Sequence, residues 1–65
     1  MMIEVTLMTG DKITINSDQI LEVSTIGPET LIRFANDNRL RVKESTETIV
    51  DLILDWQRKR WMPLV

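Results

Sequence analysis

The sequence predicts an α+β fold: a small antiparallel sheet of four to five strands, built from two hairpins, followed by one C-terminal amphipathic helix. Three observations carry this. Apolar residues alternate from Ile3 to Leu7 and again from Ile13 to Ile15, the period of strands with one buried face. Clusters of turn-forming residues, Thr9-Gly10-Asp11-Lys12 and Asn36-Asp37-Asn38, separate the strand-like runs. After Ser45 the apolar spacing changes to three and four residues, the period of a helix.

Taken in order, Ile3 to Leu7 and Ile13 to Ile15 form the first hairpin, with Gly10 free to take positive φ in its turn. Asn16-Ser17-Asp18 breaks the chain, because short polar side chains bond the nearby backbone. A third strand runs from Ile20 to Ile26. There Leu21 and Val23 share one face while Ile20, Ile26 and the charged Glu22 share the other, so its buried face is ambiguous. Gly27-Pro28 punctuates the chain before the second hairpin, Thr30 to Ala35 against Arg39 to Lys43. With Asn36 to Asn38 as its loop, Phe34 would face Leu40 and Ile32 would face Val42 on the core side, leaving Arg33 opposite Arg41 outside. Ser45 is the expected N-cap of a helix from about Thr46 to Arg60. Glu47 and Asp51 lie near its positive end and Arg58-Lys59-Arg60 near its negative end, and Met62-Pro63 would stop it. No repeat or linker divides the chain, so residues 1–65 are expected to form one domain.

Sixty-five residues bury only about 60% of the surface the unfolded chain exposes, so stability should be marginal. Without cysteine or histidine there is no disulfide and no soft or imidazole ligand for structural zinc. Homo-oligomerisation or a partner is the remaining source of stability. The net charge of −2 argues against a general attraction to nucleic acid, and no apolar run approaches the roughly 20 residues of a membrane span. A cytoplasmic protein with no membrane insertion is expected. Lacking histidine, cysteine, tyrosine and any glycine-rich phosphate loop, the chain reads as non-enzymatic and free of cofactors. Asp51 and Asp55, one turn apart on the helix, read as a solvated face rather than a metal pair.

Two surfaces remain as candidates. At 100° steps Ile49, Leu52, Ile53 and Trp56 form one helix stripe suited to packing on the sheet. Val50, Leu54 and Trp61 form a second, about 100° away, wider than one sheet covers. Either the chain end, Met62 to Val65, folds over this second stripe, or it is a protein-binding face with Trp61 as an aromatic anchor; the second is favoured. The other candidate is a basic patch, Arg33, Arg39, Arg41 and Lys43, on the outer face of the last hairpin. It reads first as a solvated face guarding strand edges, with Glu22 or Glu4 offsetting the arginines. RNA binding through it is the alternative function, weakened because Phe34, the sheet's one aromatic, points inward and leaves no stacking platform.

Met2-Ile3-Glu4-Val5-Thr6-Leu7-Met8-Thr9-Gly10, then Ile15-Asn16, Ile20, Pro28-Glu29-Thr30 and Val42-Lys43-Glu44-Ser45 together resemble the FlbD family of flagellar and swarming-motility proteins. Its members open with a Met-Ile-x-Val-Thr-x-Leu-Asn-Gly-like strand and turn, and carry an Ile-Asn pair, a Pro-Asp-Thr-like turn and a Val-Lys-Glu-Ser segment before a helix. The resemblance spans nearly all of residues 2–60. It departs at Leu7-Met8-Thr9, where the family usually shows a basic residue, leucine and asparagine, and at Glu29, where aspartate is commoner; Trp61 to Val65 have no counterpart. What it implies is a bacterial accessory protein of motility that works through protein contacts, with flagellar motor or assembly components as partners. It supplies no catalytic or cofactor residue.

Overall fold

The computed structural model describes the backbone of residues 1–61 and the side-chain surroundings of residues 1–55. Five strands precede one helix: β1 (Met2–Thr6), β2 (Lys12–Asn16), β3 (Ile20–Ile26), β4 (Glu29–Phe34), β5 (Arg39–Val42) and α1 (Thr46–Trp61), with a 3₁₀ turn at Ser17–Gln19 between β2 and β3. The strands form two antiparallel sheets rather than one, β1-β2 and β3-β4-β5. A single bridge joins them, Leu7 opposite Val42, continued where the Lys43 N–H donates to the Thr6 carbonyl at 2.8 Å. The order along the joined surface is therefore β2-β1-β5-β4-β3.

Both long-loop hairpins use one loop design. In the first, the Leu7 N–H donates to the Asp11 carbonyl (2.8 Å) and the Gly10 N–H returns to the Leu7 carbonyl (2.9 Å). The second repeats this with Phe34, Asn38 and Asp37, at 2.8 and 3.0 Å. A side-chain oxygen in the middle of each loop accepts the closing residue's N–H, Thr9 for Asp11 and Asn36 for Asn38. The fourth residue of such a loop must be left-handed, and Gly10 (φ 99°) and Asp37 (φ 68°) are. Glycine holds this geometry without cost and aspartate does not. Asp37→Gly is therefore expected to raise stability by about 0.5–1 kcal/mol, and Gly10→Ala to lower it by about 1 kcal/mol or more, both read from urea midpoints.

This loop also moves the second hairpin's register. Ile32 pairs with Leu40, Thr30 with Val42 and Arg33 with Arg39, so the expected pairs Phe34–Leu40, Ile32–Val42 and Arg33–Arg41 are each displaced by two residues. An even shift preserves the faces, and Ile32 and Val42 are still fully buried. Gly27-Pro28 proves to be a hairpin loop as well, joining β3 to β4 with Ile26 opposite Glu29. Gly27 has φ 58°, and the ring of Pro28 holds a negative φ, the combination of a two-residue loop with glycine first.

The ambiguity of β3 is resolved by a bulge. Ile20 pairs with Phe34 and Glu22 with Arg33, leaving Leu21 as the extra residue. Skipping one residue puts Ile20 and Val23 on the same side, where both pack against the core, and turns Leu21 out to 60% exposure. Among the described residues the core is Ile3, Val5, Ile15, Ile32, Val42 and Ile49, drawn from both sheets and the helix. Helix α1 packs on β1 and β3, one strand from each sheet. It begins where expected: Ser45 Oγ accepts the Thr48 N–H at 3.1 Å, and the Ser45 carbonyl accepts from Ile49.

Candidate protein-contact surfaces

The helix presents two different stripes. Ile49 is fully buried, and Leu52 and Ile53 are half-buried against the core. One step around, Val50 and Leu54 stand 48% and 45% exposed, a turn apart, with Glu47 and Asp51 beside Val50. Among the described residues nothing from the chain's own sheets covers this pair. Trp61 closes the helix on the backbone. The side chains of Trp56 and Trp61, and the Met62 to Val65 segment considered as a cover, lie outside the described residues.

The basic patch is present but interleaved with acids. Arg39 stands directly across from Arg33, where Arg41 was expected. Arg33 reaches Glu22 on β3 at 3.5 Å, and Arg41 reaches Glu29 on β4 at 3.3 Å. Glu22 was foreseen as a counter-charge; Glu29 was not, because its proximity depends on the β4-β5 register. Neither exposed pair adds much stability, but each cancels charge that a polyanion would need. Arg39 and Lys43 are exposed and have no such partner among the described residues.

Sequence reasoning missed two features. Glu44, which looks like an ordinary surface acid, reaches back across the sheet junction: the Thr6 N–H donates to Oε1 and the Thr6 hydroxyl to Oε2, each at 2.7 Å. Partial burial by itself would raise the Glu44 pKa. The two bonds from Thr6, a bond from its own N–H and the charge of Lys12 outweigh it, and the carboxyl lies below its usual range. Its position two residues after a strand and one before an N-cap was the available signal.

The second missed feature is a groove of about 500 Å³ between β2 and the tip of the second hairpin. Ile13, Ile15, Phe34 and Leu40 form its apolar lining, and Asn16, Gln19, Asn36, Asn38 and Arg39 its polar rim. The four apolar residues had read simply as core. No pattern within a strand reports that two strands fail to meet at one end. Among the described residues no group of three or more histidine, cysteine, aspartate or glutamate side chains is placed to hold a metal ion. No described helix is long and apolar enough to cross a membrane.

A family model described as flagellar and swarming motility proteins, FlbD, matches residues 2–60. The chain belongs to the FlbD family. It is accordingly a motility-related protein that acts through protein contacts. No curated protein and no solved structure matches the chain. The residues by which this FlbD protein resembles its family have structural duties. Asn16 accepts the Asp18 N–H and caps the 3₁₀ turn, and Gly10 supplies the left-handed loop residue. In Val42-Lys43-Glu44-Ser45, each residue holds one part of the joint between sheet and helix: a buried side chain, a bridge N–H, the carboxylate on Thr6 and the N-cap.

Proposed function

We propose that this FlbD protein works in the cytoplasm as one domain over residues 1–65. It docks on a component of the flagellar motor or its assembly apparatus through Val50, Leu54 and Trp61, and the same face holds copies of the chain together. The observation that carries this is the exposure of Val50 and Leu54, 48% and 45%, on a helix whose neighbouring stripe is already satisfied by the core. Two large apolar side chains a turn apart, continued along the helix by a tryptophan, are the composition of an interface anchor. A chain this small also gains stability from association.

The test is the molar mass in solution by light scattering across a concentration series, for the wild type, Leu54→Glu and Trp61→Glu. A wild-type oligomer that becomes monomeric in both variants, with circular dichroism unchanged, is the expected result. A wild-type monomer would remove self-association. Capture of motility proteins by the wild type and equally by Leu54→Glu would remove the helix face altogether.

A further inference from the structure

The groove beside β2 has a chemistry distinct from that of the helix face. Strand β2 pairs with β1 and, among the described residues, with no other strand. The Ser17 N–H bonds the Met1 carbonyl and the Leu7 N–H bonds the Asp11 carbonyl, so the odd-numbered residues of this strand turn their backbone groups toward β1. Antiparallel pairing alternates, and the N–H and C=O of Lys12 and Thr14 therefore face the free edge. Ile13 and Ile15 point into the groove alongside that edge, facing Phe34 and Leu40. A strand laid on the edge would carry every second side chain onto the same face as Ile13 and Ile15, into the groove. Arg39 stands at the rim, exposed, and unlike Arg33 and Arg41 it has no carboxylate partner among the described residues.

We propose that the groove takes an extended segment of a partner protein in which apolar and acidic residues are combined. The segment pairs with the Lys12 and Thr14 backbone, seats apolar side chains on Ile13, Ile15, Phe34 and Leu40, and places a carboxylate on Arg39. Backbone pairing supplies affinity without sequence preference; the apolar lining and the lone guanidinium supply selectivity. This surface is separate from the stripe on α1, so either can fail without the other.

A random heptapeptide display library selected against the full-length chain tests the proposal, followed by amide hydrogen exchange with an enriched peptide. Enriched sequences are expected to alternate apolar residues with at least one aspartate or glutamate. Affinity should fall about tenfold or more in Arg39→Glu and recover when the peptide's acid is changed to lysine. The exchange of the Thr14 amide should slow on binding, and Leu54→Glu should bind as the wild type does. Arg39→Glu sits exposed opposite Arg33, a position where a carboxylate is tolerated by the fold. Selection of no such sequence, affinity unchanged in Arg39→Glu, or an unprotected Thr14 amide would overturn the proposal. So would Thr14 protection that rises with protein concentration in the absence of peptide, which would give the groove to a second copy of the chain.

Discussion

Ile49→Ala is expected to destabilise the protein by about 2–4 kcal/mol, the largest effect of any single truncation on the described part of α1. Ile49 is fully buried and belongs to the same core as Val5, Ile32 and Val42, so its loss opens a cavity where the helix meets both sheets. A domain of this size is stable by only about 3–10 kcal/mol at typical per-residue values, so the variant should lie near its unfolding transition at 37 °C. The neighbouring Val50→Ala removes a side chain already 48% exposed and should shift stability by less than about 0.7 kcal/mol in the monomer. Urea titrations of the two variants, at a concentration where the wild type is monomeric, make the comparison. Equal losses would mean that the second stripe is also core, and the proposed interface would go with it.

Glu44→Ala is expected to cost about 2 kcal/mol at neutral pH. Two charge-assisted bonds at 2.7 Å hold Thr6 to the start of the helix, and truncation leaves the Thr6 N–H without its acceptor. Glu44→Gln keeps the shape, replaces a charged acceptor by a neutral one, and should cost about half as much. The pH dependence follows from the direction of the shift. Folding lowers the Glu44 pKa, so the unfolded chain binds the proton more tightly than the folded one. The contribution is whole above the ordinary glutamate value of about 4.3 and is lost as pH falls through the lower folded value. The stability gap between wild type and Glu44→Gln should therefore be constant from pH 7 to about pH 5 and narrow below it. A gap independent of pH would show that the carboxylate's charge does not matter at this joint.

The joint also links the two sheets under the helix. A single bridge between Leu7 and Val42 is a weak seam. Lys43 extends it by one backbone bond and Glu44 by two side-chain bonds, and Ser45 then starts the helix that packs on β1 and β3. Four consecutive residues thus convert a strand end into a seam, a clamp and a helix start. That concentration of duties gives each residue of the segment a structural reason to be what it is.

Sequence by itself determined the elements and, outside β3, their faces. Alternation placed Ile3, Val5, Ile15, Ile32 and Val42 inward, and the change of period after Ser45 placed Ile49 inward on a helix capped as expected, because both signals are local and repeat within a few residues. Asn16, Gly10 and Gly27-Pro28 were legible as turns for the same reason, though their loop types were not. Tertiary structure alone decided everything that depended on how far apart two strands end. It set the two-residue shift of the second hairpin, which hinged on Asp37 accepting a left-handed conformation. It placed the bulge at Leu21 that chose between two faces of β3, and it matched Arg41 to Glu29 rather than leaving it opposite Arg33. The reach of Glu44 to Thr6 and the opening beside Ile13 and Phe34 arose in the same way. Each of these joins residues separated by at least one loop, and strand periodicity, which repeats every two residues, records the face a side chain takes but not the partner it meets.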